Sequence, residues 1–479
     1  MILRNTLTNH EDTFTPLQEN EVTLYTCGPT VYSEPHIGNW VAYIRWDILV
    51  RTLLASGYSV NRVMNITDVG HLTGENEGDA DAGEDKMSKG ARKEGITEWE
   101  VADRYTNKFL EGMTALNLLP PEHLTKATEH IAIQIDLVKK LEEKGFTYIL
   151  DDGVYFDTSK FPSYADFAHL DLDSQQAGAR VSFNANKRNI GDFVLWRLTP
   201  KGESRTMEWD SPWGRGIPGW HIECSAMAMN YLGETIDIHT GGIDHIPVHH
   251  TNEIAQSEAA SGKRFVNYWL HNAHLLSEGT KLSKSLNNSY TLDQIISRGF
   301  SPMDFRMFIL QSQYRTETNF TWENLTSARN RLKRWRDIAS LRWQINDTLD
   351  DDDKKDTAHD INGQILAAPH AALEALQNDL NTPNALMTIE RVMDEIDTTP
   401  LPSLQHSALL QMIGSIDEMF GLRLMQSTPD ITDQQKQRII ERRRARDSKD
   451  WNASDTIRDE LLSEGITLRD TAQHTIWGR

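Results

Sequence analysis

Apolar positions in the first part of the chain switch between two spacings. From Val22, VTLYTCGPTVY holds a near-continuous apolar run that ends in Gly-Pro, the pattern of a buried strand. IGNWVAYIRWDILVRTLLAS follows with apolar residues three and four apart, which predicts an amphipathic helix stopped by Gly57. YSVNRVMNIT reads as a second strand. A helix returning between two strands implies a parallel sheet with a right-handed crossover, and such sheets bind ligands at the carboxyl ends of their strands. Cys27 and the PHIGN segment lie at such an end.

From about 115 to 200 the pattern is mixed, with a helix in HIAIQIDLVKKLEEKG and short strands in GVYFDT and GDFVLWRL, so an inserted domain is expected there. The sheet resumes near Thr235 with TIDIHTGG, followed by a helix in NEIAQSEAASG ending at Gly262 and a strand pattern in FVNYWLHNAHLL. The loop EGTKLSKSLNN comes next, and beyond about Ser301 the spacing is helical, apart from the acidic run from Asp347 to Asp353 and a linker near Gln426 to Thr432. The fold class is therefore α/β, a parallel-sheet half followed by an all-α half.

Composition narrows the picture. At 479 residues, 38% hydrophobic and 25% charged, the chain is a folded protein of two to four domains. No apolar window reaches the roughly 18 residues of a membrane span, and the opening MILRNTLTNHEDTF is not a signal peptide, so a cytoplasmic protein with no membrane partner is expected. With 49 bases against 70 acids, the formal charge of −21 argues against non-specific affinity for polyphosphate. Two local stripes run the other way: six bases against Asp337 between Arg329 and Arg342, and seven against Glu441 and Asp447 between Lys436 and Lys449. Each suits either an RNA contact or a solvated helix face.

Chemistry concentrates in three places. His249 and Glu253 are four residues apart, so on a helix both face one side and can share an ion; Cys27 and Cys224, the only cysteines, could complete four ligands. Zinc accepts such a donor set, although two buried core thiols would look the same, and His250 is an equal candidate by composition. PHIGN sets His36, Gly38 and Asn39 at a helix start, where phosphate binds or where a plain capping turn sits. KLSKS offers Lys281 and Lys284 in a glycine-led loop suited to a triphosphate. The acid-rich segment Glu75–Asp85 reads as a solvated loop with no assigned role.

The order of the motifs adds what spacing alone does not. YTCGPTVY, PHIGN, NITD, GWHIECSAM, DIHTGGIDH, HHTNEIAQSE and KLSKS, in this sequence, resemble the class I aminoacyl-tRNA synthetases, and within them the cysteinyl-tRNA synthetase family. NDLNTPNAL and RRRARDSKDWNASDTIRDELLSEGITLRDTAQHTIW extend the resemblance over nearly the whole chain. It implies a Rossmann-like catalytic domain at 1–300, with the inserted connective domain at about 115–200 and the KLSKS region at 275–300. A helical stem-contact region at 301–345, an anticodon-side helical bundle at 346–425 and a small tRNA-binding domain at 426–479 would follow.

The same resemblance implies one Zn²⁺ per chain on Cys27, Cys224, His249 and Glu253, taking the thiolate of the substrate L-cysteine. Thr67 and Trp220 would surround that substrate; His36, Gly38, Asn39, Gly242, Asp244, Lys281 and Lys284 would hold ATP, which carries Mg²⁺. The tRNA for cysteine would be the acceptor, met by Arg331, Arg334, Arg442, Arg443 and Arg444, and the protein is expected to be a monomer. Asn39 stands where the HIGH signature ends in histidine, and its amide can still donate a hydrogen bond. Two other readings compete: a ligase that joins activated cysteine to an amino-sugar, which would not need the helical half, and a non-catalytic RNA-binding paralogue, which would not need the zinc and lysine positions.

Overall fold

The computed structural model describes residues 1–70, 72–73, 84–170, 186–282, 288–345, 361–470 and 475–478. Its central element is a five-stranded parallel sheet of β1 (Glu21–Thr26), β2 (Ser59–Ile66), β3 (His123–Lys126), β4 (Ile236–Gly242) and β5 (Val266–Asn272), in the order β5-β4-β1-β2-β3. Helix α1 (Ile37–Ala55) makes the crossover from β1 to β2, as the spacing predicts. It differs from an amphipathic helix in being buried on most of its faces, Arg45, Asp47 and Arg51 included. Those charges are tolerated because they are paired: Arg51 bonds Asp47 at 2.7 Å, and Arg45 donates to the Ala273 carbonyl at 2.8 Å. The chain turns out of the helix through Gly57, whose φ of 90° a side chain would resist.

The inserted domain is a four-stranded antiparallel sheet of Thr147–Leu150, Gly153–Phe156, Phe193–Leu198 and Gly216–Pro218. Its boundaries differ from the expected 115–200. β3 pairs in parallel with β2 and so belongs to the main sheet, while the last antiparallel strand ends at Pro218. Short strands flanked by turns carry no mark of which sheet they join. Helices α2 (Trp220–Leu232) and α3 (Thr251–Ser261) support the functional face: Ile222, Ala255 and Ala259 pack with Phe156, Phe193 and Trp196, and Met227 and Ala228 pack with Phe265 and Trp269. Truncating Trp269, 1% exposed, would cost about 3 to 5 kcal/mol.

Contacts divide the chain into Met1–Gln294 with Tyr314–Asn319, and Ile295–Gln313 with Phe320–Arg479. The second unit holds α4 (Trp322–Ser340), α5 (Ile361–Gln377), α6 (Thr382–Thr398) and α7 (His406–Phe420). It ends in α8 (Asp433–Asp447), α9 (Trp451–Ser463) and a hairpin of Thr467–Asp470 with Thr475–Gly478, which share a core of Ile431, Ile439, Leu461, Ile466 and Trp477. No helix among the described residues is long and apolar enough to cross a membrane.

Candidate active site and metal centre

Cys27 directly follows β1, and its N–H bonds the Thr240 carbonyl of β4 at 3.4 Å. Gly28 makes this crossing possible, since a Cβ there would sit 1.6 Å from the Asn65 carbonyl oxygen. α2 starts at Trp220, so Trp220 and Cys224, four apart, share one face. His249 sits in a wide π turn, Ile246–His250, that runs straight into α3, and Glu253 lies in the first turn of α3. The expected spacing holds, although a π turn rather than regular α-helix carries His249.

These elements converge. One ligand atom from each of Cys27, Cys224, His249 and Glu253 lies within 4.8 Å of every other. Neither cysteine is in a disulfide. Glu253 Oε2 accepts from His239 Nε2 at 3.0 Å, while Oε1 is buried and makes no hydrogen bond although His249 Nε2 lies 2.9 Å away. Two polar atoms that approach without aiming at each other are arranged as ligands facing a third atom. His249 is also held from behind, its Nδ1 2.9 Å from His221 Nδ1; with the shared proton on His249, Nε2 presents a lone pair. Two thiols, an imidazole and a carboxylate, each backed by a hydrogen-bond partner where it is an imidazole or carboxylate, fit zinc.

Protonation in the cluster follows the same logic. The Cys27 hydrogen bond, aided by His249, overcomes burial and brings the Cys224 thiol down to about 7. Burial and then Cys224 push Cys27 well above the ordinary thiol range. One thiolate forms readily, and a second needs a cation. Burial opposes ionisation of Glu253, yet His239 and His249 outweigh it and hold the carboxyl at about 2. Burial likewise opposes His249, and Glu253 and Cys224 outweigh it to raise the imidazole to about 10.

A second, overlapping set also forms: Cys27, His239, His250 and Glu253. His250 was a candidate by composition, but His239 escaped sequence reasoning, as did a chain in which His250 Nδ1 meets His271 Nε2 at 2.7 Å and His271 Nδ1 meets Thr6 at 2.7 Å. The available signal was the histidine at an inward strand position in both DIHT and LHN. The two sets differ in access. Cys27, Cys224 and His249 line a cavity of about 360 Å³; His239 and His250 do not.

That cavity gathers most of the remaining candidates. Trp220 lines it, its ring 4.5 Å from that of His249 by centroids, and so does Thr67, whose hydroxyl donates to Glu223 at 3.0 Å. At its other part lie His36, Gly38 and Asn39. The Asn39 side-chain oxygen accepts from the His36 N–H at 3.0 Å in a capping box, which leaves the amide nitrogen as the donor. Gly242, Asp244 and Lys281 complete the wall. A Cβ on Gly38 would come 2.7 Å from Leu282, and the Ile37 N–H bonds the Tyr290 carbonyl at 2.8 Å, so Leu282 and Tyr290 both meet the start of α1. Lys284 lies outside the described residues, as does all of the acidic segment Glu75–Asp85 except its last two residues.

Residues 13–330 match the family described as tRNA synthetases class I (C) catalytic domain. The chain is 42% identical to a cysteine–tRNA ligase of Treponema denticola over 99% of both chains, and 44% identical to cysteine–tRNA ligase 1 of Burkholderia lata, covering 96% of this chain and 93% of that one. The chain belongs to the cysteine–tRNA ligase family. For this class I family the parallel sheet is the shared scaffold: Mycobacterium tuberculosis methionyl-tRNA synthetase in complex with methionyl-adenylate has the same fold at a TM-score of 0.61 and 14% identity, covering 85% of this chain and 92% of that chain.

The basic stripes in this cysteine–tRNA ligase relative are largely spent inside the helical unit. Arg331 forms a two-pronged pair with Glu390 at 2.6 and 2.7 Å, Arg334 pairs with Asp394, and Arg342, 2% exposed, bonds Thr428. Arg442 is 3% exposed, with both guanidinium arms on Asp470 at 2.8 Å. Both terminal nitrogens of Arg442 are thus engaged inside this region. Arg444 is exposed and Arg443 half-buried.

Proposed function

We propose that this chain activates L-cysteine with ATP, giving cysteinyl-adenylate and pyrophosphate, and transfers cysteine to the 3′-terminal adenosine of its tRNA. The observation that carries this reading is the pairing of family membership along 99% of the chain with a cavity that has a two-thiol donor set in its wall. Cys27, Cys224, His249 and Glu253 would hold the zinc. When bound there, zinc supplies a soft Lewis-acid centre that favours a thiolate over a hydroxyl, a distinction that shape alone makes poorly for cysteine and serine.

The chain's own groups do the positioning. Trp220 and Thr67 enclose the amino acid. His36, Gly38 and the Asn39 amide nitrogen bind phosphate oxygens at the N-terminus of α1, where the helix dipole favours an anion. Gly242 and Asp244 receive the adenosine, and Lys281 and Lys284 neutralise the triphosphate with its Mg²⁺. The carboxylate attacks the α-phosphorus in line and pyrophosphate leaves, so no protein nucleophile is needed. Arg443 and Arg444 remain as the tRNA contacts of the small C-terminal region, and the enzyme works as a cytoplasmic monomer. Charging of a transcript of the tRNA for cysteine with labelled cysteine tests the reading; serine should not compete, and equal charging with serine would overturn the selectivity argument.

A further inference from the structure

Two lysines among the described residues line the cavity, Lys281 and Lys86. Lys281 belongs to the KLSKS segment. Lys86 comes at the end of the acid-rich stretch, where a lysine reads as one more solvated charge, and no reading of the motifs singles it out.

Its placement is built. Asp85 caps the helix Lys86–Glu94, its carboxylate accepting from the N–H groups of Met87 and Ser88 at 2.8 and 3.2 Å. The same carboxylate lies against Gly70, where a Cβ would come within 2.3 Å of its oxygens, and Leu72–Thr73 pairs antiparallel with Glu84–Asp85. The helix start is thus fixed beside the segment that leaves β2. From there Lys86 reaches over the ring of Tyr32, Nζ 5.0 Å from its centroid, and Tyr32 also lines the cavity. No carboxylate among the described residues forms an ion pair with Lys86. In a chain of net charge −21, a half-buried ammonium that meets an aromatic face and no carboxylate among the described residues is placed for an anion that arrives.

The topology says which anion. The pairing of Leu72–Thr73 with Glu84–Asp85 sets Lys86 beside the segment that leaves β2, which contributes Thr67 and Gly70 to the same wall, whereas Lys281 comes from the segment after β5. We propose that Lys86 is a catalytic cation of adenylate formation, its ammonium meeting oxygens of the attacking carboxylate and of the α-phosphate. This rests on the activation chemistry proposed above. The carboxylate oxygen forms the bond to phosphorus, the bond from phosphorus to the bridging oxygen breaks, and pyrophosphate carries off the electron pair. Lys86 offsets charge as two anions are brought together.

Cysteine-dependent exchange of pyrophosphate into ATP, on zinc-loaded full-length protein, tests it with Lys86→Met and Lys86→Arg. Lys86→Met should lower kcat by about 100-fold with the KM for cysteine within about 3-fold, zinc content and tRNA affinity unchanged, and Lys86→Arg should recover about tenfold. A kcat within about 3-fold of the parent, an arginine variant no better than methionine, or a loss that tracks lost zinc would overturn the assignment. Failure of the parent itself to exchange with cysteine would instead refute the activation reading, and this inference with it. Should Lys86→Met not fold, Lys86→Gln keeps the helix start polar and answers the same question.

Discussion

Two ligand sets share Cys27 and Glu253, and substitution at the residues they do not share separates them. Cys224→Ser replaces a thiol already near neutrality by an alcohol that does not ionise, and its shorter bond leaves the oxygen withdrawn from the cluster. Zinc in tetrahedral protein sites is held by roughly 10 to 16 kcal/mol, so one ligand of four represents about 2.5 to 4 kcal/mol, or roughly 100- to 1000-fold in affinity. His250→Ala removes a residue whose Nε2 is 3.5 Å from Cys27 Sγ and whose Nδ1 is taken by His271. As a supporting neighbour it should cost about 10- to 100-fold. Chelator competition at fixed pH reads both affinities, and a thermal melt checks the fold of each variant. Retention of parental affinity by Cys224→Ser, with loss of zinc in His250→Ala, would move the metal to the second set and refute the assignment.

The remaining predictions concern other parts of the chain. Arg442→Ala should destabilise the C-terminal helices and hairpin by about 1 to 3 kcal/mol, read by denaturant melts, since it removes the two-armed pair and leaves Asp470 with Arg446 and Thr475 alone; an unchanged midpoint would contradict the pairing. The Arg442 hydrogen bond first, with Thr475 and Arg446 behind it, lowers Asp470 from 3.8 to about 2, so this stabilisation is complete above about pH 4 and is lost as pH falls toward 2; an acid melt of the parent should show that loss and Arg442→Ala should show a smaller one. Arg444→Glu should weaken tRNA binding and lower its salt dependence by one to two charges, whereas an unchanged slope makes α8 a solvated face. Asn39→Ala removes the acceptor for the His36 N–H and should cost about 1 kcal/mol of stability and slow activation with zinc intact; unaltered kinetics would show that the carboxamide does not reach ATP.

The elements that hold the site were legible where the period was long and unbroken. β1, α1 and β2 fall within a residue or two of VTLYTC, IGNWVAYIRWDILVRTLLAS and YSVNRVMNIT, and α3 matches NEIAQSEAAS. The pairing of distant Cys27 and Cys224 came from the resemblance, because 197 positions of intervening chain leave local spacing mute; the sheet brings Cys27 to β4, and α2 brings Cys224 beneath it. What escaped was decided by tertiary contact. Arg331 and Arg334 look like a free stripe until Glu390 and Asp394 of α6 meet them, and a sequence does not display which helix will lie alongside. His239 and His271 sit in strands that read as apolar, and Lys86 hides behind six acids.

Pyrophosphate exchange into ATP without tRNA, on protein of quantified zinc content, bears on the central claim most directly. Exchange that requires cysteine, is absent with serine and rises with zinc toward one ion per chain is the predicted result. A folded, zinc-loaded protein that exchanges equally with serine, or not at all with cysteine, would contradict it.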